Sequence, residues 1–398
     1  MMNYQFADRV SELKPSIIRE ILKNSSEPGV IPFSAGNPAP EAFPAKEILE
    51  ISQKILREQP IQALQYSITE GYTPLRNTIT NHMQTHHQIG KDFDDTIITS
   101  GAQQVMNLAS KVLCNEDDVI ICESPSFIGS LNTFRSIKTK LHGISMEHDG
   151  MNLLELEKTL KQNTKVRMIY TIPNFQNPSG ITMSLEKRKQ LYQLAKQYHV
   201  IILEDNPYGD LRINGDTIPS IKSFDKDGIV IYAGSFSKVI SPGMRIGFSI
   251  APKPISQKMV VCKQADDVHS NILAQMICHI LITEYHYENH LQHLRSIYRK
   301  KLELTISLIE EHLVPHGISY HKANGGLFVW CTLPTNINML EFCKKSANQK
   351  VCVVPGNAFL VDENASCQSF RINFSTPTDE QIVKGIATLG KIAKQMSN

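Results

Sequence analysis

No stretch of the 398-residue chain reaches the roughly 18 apolar residues that a membrane helix needs. The opening residues Met1-Met2-Asn3-Tyr4-Gln5-Phe6-Ala7-Asp8-Arg9 hold no apolar signal core. Neither a spanning segment nor a secretory leader is expected. Charge of one sign is also lacking. Lys+Arg number 41 against 39 Asp+Glu, a formal net charge of +2. That balance argues against a nucleic-acid or membrane surface as the main partner. The 8 cysteines form no Cys-x-x-Cys pair. Cys114, Cys122, Cys262 and Cys278 lie in apolar surroundings and read as buried thiols, so a reduced, cytoplasmic setting is expected. Internal repeats and low-complexity tracts are missing as well. His286, His290 and His293 are spaced i, i+4, i+7, and His82 and His86 i, i+4, but no suitably spaced carboxylate or cysteine completes either set. No metal site is expected.

What is present is an ordinary globular composition, 41% hydrophobic and 20% charged, in a chain long enough for about two domains. Residues 5–23 carry apolar positions at helical spacing, ended by Glu27-Pro28-Gly29, and read as an arm. Ile31 to Pro40 is too rich in Pro and Gly for regular structure, and Gly36 there allows backbone to approach a ligand. From about residue 47, short β-branched runs (95–100, 118–123, 166–171, 200–204, 229–233, 246–250) alternate with helical patterns (102–113, 152–161, 185–198). Such alternation predicts a mostly parallel sheet covered on both faces. A helical region over 264–313 suits a domain connector, and the remainder reads as a smaller α+β domain. The division expected is an arm and joining segment (1–46), a large domain (47–290) and a small domain (291–398).

Ligands of parallel sheets bind at the carboxyl edge, so chemistry is sought where strands end. Gly234-Ser235-Phe236-Ser237-Lys238 ends one run, and Arg245 follows in Ser241-Pro242-Gly243-Met244-Arg245-Ile246-Gly247. A tuned lysine can hold an aldehyde as a Schiff base, while hydroxyls and an arginine can grip a phosphate. An aldehyde and a phosphate on one small molecule describe pyridoxal 5′-phosphate. Taken alone, the stretch reads equally well as a polar turn with solvated Lys and Arg. Ser100-Gly101-Ala102-Gln103-Gln104 joins a strand to a helix whose free N–H groups make an anion site. Asn177 precedes Pro178 and is biased away from helix. Asp205 and Tyr208 follow an apolar run: a carboxylate there can keep a pyridine nitrogen protonated, and the phenol can meet the ring's phenolic oxygen. Phe127 can stack on an aromatic ring, although a loop aromatic is more often core filler.

In that order the motifs resemble the fold-type I, pyridoxal phosphate-dependent aminotransferases of class I/II, most of all the aminoadipate, kynurenine and aromatic group. Asn177-Pro178-Ser179-Gly180, Glu204-Asp205-Asn206-Pro207-Tyr208 and Ser235-Phe236-Ser237-Lys238 with the Arg245 turn carry the resemblance, which spans nearly the whole chain. It implies an α/β architecture with a mostly parallel seven-stranded sheet flanked by helices, plus a smaller α+β domain. It implies Lys238 as the Schiff-base lysine and Asp205 as partner of the pyridine nitrogen. Asn177 and Tyr208 would meet the phenolic oxygen, and Phe127 would stack on the ring. Arg245, Ser235, Ser237 and the Gly101-Ala102-Gln103 turn would hold the phosphate. Arg371 would clamp a substrate α-carboxylate, with Gly36 and Asn174 close to the substrate. Tyr66 would reach the phosphate of a second subunit, so a homodimer with its active site at the subunit interface is implied.

Two departures stand out. Ala102 replaces a frequent Ser or Thr, which weakens phosphate grip without removing the backbone N–H, and Phe127 replaces a commoner Tyr. The implied reaction moves an amino group from an L-amino acid to a 2-oxo acid such as 2-oxoglutarate, through pyridoxamine phosphate. A β-lyase or decarboxylase on the same scaffold is the alternative. A pyridoxal phosphate-sensing regulator is disfavoured, since only about 30 residues precede the Gly36 loop. Mostly apolar or small residues in 5–23, 36–38 and 324–328 favour aromatic, branched or long aliphatic substrates.

Overall fold

All six β-branched runs form strands in the computed structural model, which describes residues 4–7, 10 and 28–397. The helix expected over 5–23 lies, apart from residues 5–7 and 10, outside the described residues. Strands β1 (Asp94–Thr99), β2 (Val119–Ser124), β3 (Lys140–Glu147), β4 (Gly150–Met151), β5 (Val166–Thr171), β6 (Ile201–Asp205), β7 (Val230–Ser235) and β8 (Gly247–Pro252) make one sheet. Their order is β1-β8-β7-β6-β5-β2-β3-β4. From β7 to β3 the neighbours run parallel; β8 is antiparallel to both β7 and β1, and β4 folds back on β3. The sheet therefore has eight strands, one more than expected. β3 escapes a reading based on apolar runs because only Ile144 in it is buried.

Both faces of the sheet are covered. Tyr170 and Met168 of β5 pack in one apolar cluster and Ile169 between them in another, as the two-residue pleat requires. Helices Ala102–Leu113, Leu153–Gln162 and Leu185–Gln197 match expectation. The helical region expected over 264–313 is instead cut into Lys253–Asp266, Ile272–Glu284 and Tyr287–His312. Asn271 restarts the chain as an N-cap, its side chain accepting from the Ala274 N–H, and His286 enters the left-handed region before the last helix. No described helix is long and apolar enough to cross a membrane.

A second, antiparallel sheet holds β9 (Ser319–Tyr320), β10 (Phe328–Thr332), β11 (Val354–Pro355) and β12 (Ser369–Asn373) in the order β11-β12-β10-β9. The Pro/Gly-rich segment is tied to this part of the chain. Ile31 bridges Val351, the Asn373 N–H donates to the Phe33 carbonyl at 2.8 Å, and Phe33 is fully buried. This anchoring carries Ser34 to Asn37 past the carboxyl edge of the large sheet, where β7, β6, β5 and β2 end side by side at Ser235, Asp205, Thr171 and Ser124.

The end of β6 is braced from below. Glu204 is fully buried and accepts from Ser220 Oγ (2.5 Å), the Ile221 N–H (2.9 Å) and the Lys222 N–H (2.8 Å). Lys222, also fully buried, sits between Asp94 (2.7 Å) and Asp225 (2.9 Å). Replacing Lys222 with Met leaves two buried carboxylates uncompensated. Stability should fall by about 3 kcal/mol, read as a drop in the denaturant midpoint; an unchanged midpoint would mean that the triad is dispensable.

Candidate active site

At the carboxyl edge lies a cavity of about 710 Å³. Strand ends and their following turns bring Asp205, Tyr208, Ser235, Ser237 and Lys238 into it; helix starts bring Ala102, Gln103 and Phe127. Gly36, Asn177, Phe328 and Arg371 line it from the other side.

Lys238 is partly exposed into this cavity, and its Nζ donates to the Gly36 carbonyl at 2.9 Å. Desolvation, then the like charges of Arg371 and Arg245, lower its amine to about 8. That places a useful fraction of neutral, nucleophilic amine near neutral pH. Asp205 is buried at the end of β6. Tyr170 OH donates to its Oδ2 at 2.8 Å, while its Oδ1 has no partner among the described residues. Burial raises this carboxyl to about 7, against the opposing effects of the Tyr170 hydrogen bond and the Lys238 charge. Tyr208 is buried edge-on to Phe328 at 5.7 Å; burial pushes its phenol up, against the opposing effects of Arg371 and Asn177.

Arg371 projects from β12 with no carboxylate partner among the described residues. It donates to Asn177 Oδ1 (2.8 Å) and to the Ser34 (2.8 Å) and Ala35 (3.2 Å) carbonyls. Its guanidinium lies over the rings of Phe328 (4.2 Å) and Phe359 (5.0 Å), and its Nε is buried and unspent. Burial lowers Arg371 to about 10, so it stays charged at neutral pH. An arginine stripped of water and lacking a carboxylate suits an anionic ligand.

The third cation, Arg245, sits in the left-handed region (φ 57°), donates to the Ser100 carbonyl at 3.1 Å and leans toward Ser237 Oγ at 3.5 Å. Gly101 is required beside it. Its φ is +74°, and a Cβ there would come within 2.4 Å of the Arg245 guanidinium. The helix that follows Gly101 has no side-chain cap, so its first N–H groups face the cavity end where Arg245 lies.

Two expected residues stand elsewhere. Asn174 does not line this cavity. Its amide donates to Asn206 Oδ1 at 2.9 Å and its oxygen accepts from Arg188 at 2.8 Å, which turns it toward a neighbouring cavity of about 640 Å³. Tyr66 is 82% exposed, edge-on to His269 and outside the cavity. Asn324 to Leu327 do not line the cavity either. Asn324 and Gly325 pair with Arg212 and Ile213, and of this segment only Phe328 reaches the site. Missed from the sequence were Met106, Ile128, Gly129 and Asn132 in the wall, and Tyr170 behind Asp205. Among the described residues no group of three or more His, Cys, Asp or Glu has metal-holding geometry.

Comparison with known proteins agrees with this arrangement. The family model "aminotransferase class I and II" matches residues 28–389. The chain is 36% identical to aromatic-amino-acid aminotransferase 1 of Thermococcus litoralis, covering 98% of this chain and 94% of that one. It is 34% identical to the 2-aminoadipate transaminase of Thermus thermophilus over 98% of this chain and 96% of the other. Among solved structures, the kynurenine aminotransferase of Pyrococcus horikoshii superposes with a TM-score of 0.94 at 34% identity, over 98% and 97% of the two chains. The chain belongs to the class I and II aminotransferases, a pyridoxal phosphate-dependent family. The residues present fit that cofactor: the orphaned, buried Asp205 Oδ1 has the position and chemistry to accept a pyridinium N–H.

The tuned lysine can be tested directly. In cofactor-free protein, reductive trapping of a small aldehyde on Lys238 should speed up about tenfold per pH unit and level off near pH 8. Arg371→Gln removes a like charge and should move that midpoint upward. A midpoint at the ordinary lysine value of 10.5 would contradict the geometry.

Proposed function

We propose that this aminotransferase moves the amino group of an L-amino acid with an aromatic, branched or long aliphatic side chain to a 2-oxo acid such as 2-oxoglutarate. The observation that carries the reading is one cavity flanked by three cations, Lys238, Arg245 and Arg371, with a single buried carboxylate among the described residues that line it, whose free oxygen is Asp205 Oδ1. The three cations have distinct partners to serve: an aldehyde, a phosphate and an α-carboxylate.

Pyridoxal phosphate, when bound, supplies an aldehyde that captures amines and a ring that withdraws electrons from the substrate Cα. Lys238 Nζ would hold it covalently between turnovers and, once free, would carry the substrate Cα proton. Asp205 Oδ1 would accept from the ring nitrogen and keep it cationic. Asn177 and Tyr208 would meet the phenolic oxygen, and Phe127 would cover the ring face. Arg245, Ser235, Ser237 and the Ala102 and Gln103 N–H groups that follow Gly101 would hold the phosphate, the Gly101 N–H itself donating to the Thr99 carbonyl at 2.8 Å. Arg371 takes the substrate carboxylate, its fork already aligned by Asn177 and the Ser34 and Ala35 carbonyls.

Met106, Ile128 and Phe328 make much of the remaining wall apolar, which supports the substrate class. A homodimer completes the site. Ile61 (75% exposed), Leu64 (74%) and Tyr66 (82%) form an apolar strip suited to a second copy of the chain, and Tyr66 would reach that copy's phosphate.

An amino-donor screen with 2-oxoglutarate, following 2-oxo acid products, tests the reading. Aromatic or long aliphatic donors should be converted, and Lys238→Ala should abolish both conversion and the visible absorbance of the protein–cofactor complex. Release of ammonia or carbon dioxide in place of amino transfer would favour the lyase or decarboxylase alternative. Gly101→Ala should push Arg245 aside and weaken pyridoxal phosphate binding by about tenfold or more, with little effect on pyridoxal, which lacks the phosphate. Equal losses for both would argue against a phosphate at that turn.

A further inference from the structure

We propose that Tyr170, backed by Ser130, is a positioning residue that commits one oxygen of Asp205 to the protein and leaves the other for the cofactor ring nitrogen. The inference rests on the assignment of Asp205 made above. Tyr170 is the penultimate residue of β5 and is fully buried, with Phe134 edge-on at 5.4 Å. Its hydroxyl donates to Asp205 Oδ2 at 2.8 Å and accepts from Ser130 Oγ at 2.9 Å, and Ser130 is fully buried too.

The chain has a direction. Ser130 Oγ donates to the Tyr170 oxygen, and Tyr170 donates in turn to Asp205 Oδ2. An ionised carboxylate accepts such a hydrogen bond more strongly than a neutral acid does, so the network favours the ionised form against its burial. The ionised form is the one that pairs with a pyridinium through the unpartnered Oδ1.

The same network braces the ring from two sides. Phe127 is the N-cap residue of the helix Ile128–Ser136, and the Ser130 N–H donates to the Phe127 carbonyl at 3.0 Å. The residue proposed to cover the ring face and the residue proposed to meet its edge are thus joined through Ser130 and Tyr170.

Two probes separate this role from plain packing: pyridoxal phosphate, and its analogue with the ring nitrogen replaced by carbon. Both carry the aldehyde and the phosphate, so the affinity ratio reads the contact at the ring nitrogen. Tyr170→Phe should weaken pyridoxal phosphate binding about tenfold while changing the carbon analogue less than about twofold. Ser130→Ala should act in the same direction by about threefold, and it carries the test by itself if Tyr170→Phe fails to fold. Equal weakening of both probes, or of neither, overturns the proposal while the Asp205 assignment stands. A native protein that binds the two probes equally overturns the Asp205 assignment and this inference with it.

Discussion

Lys238, Asp205 and Arg371 are three charges drawn into one cavity without an ion pair between any two of them among the described residues. Each is held by weaker polar contacts: Lys238 by the Gly36 carbonyl, Asp205 by the Tyr170 phenol, Arg371 by carbonyl oxygens. Charges desolvated in this way raise the energy of the empty protein. They also create a demand that the proposed cofactor and substrate would meet together, the first with an electrophile for the amine and a basic ring nitrogen for the carboxylate, the second with a carboxylate for the guanidinium. Their mutual influence is visible in Lys238, whose amine is lowered by burial and by the two arginines and raised only by Asp205.

Topology makes the gathering possible. β7, β6, β5 and β2 are neighbours running the same way, so four turns open on one edge. Arg371 comes from the separate antiparallel sheet, and Gly36 from a loop tied to it through Ile31 and Phe33. Lys238 to Gly36 and Arg371 to Asn177 are thus hydrogen bonds that span the two sheets' territories. A shift of one sheet against the other would break both contacts.

Much of the site was legible because its members sit at strand ends and helix starts, where residue type and position agree. Lys238, Asp205, Asn177 and Arg245 follow from that rule together with family resemblance, and Arg371, in the middle of β12, from the resemblance alone. Tyr170 does not: in Met168-Ile169-Tyr170 it has the look of core, and only the fold shows that its hydroxyl meets Asp205. Ser130 is hidden likewise inside a helix not anticipated from periodicity. β3 was missed because it carries one buried apolar residue. Motif spacing does not show that Asn174 turns toward Asn206 and Arg188 and away from the cavity. In each case the missing information was tertiary, a partner distant in sequence.

The central claim is that the buried Asp205 keeps the cofactor ring nitrogen protonated. The most direct measurement is the nitrogen-15 chemical shift of the ring in protein loaded with ring-labelled pyridoxal phosphate, compared between the native chain and Asp205→Ala. The account predicts a pyridinium shift in the native protein at neutral pH and a neutral-pyridine shift in the variant. A neutral ring nitrogen in the native protein would contradict it.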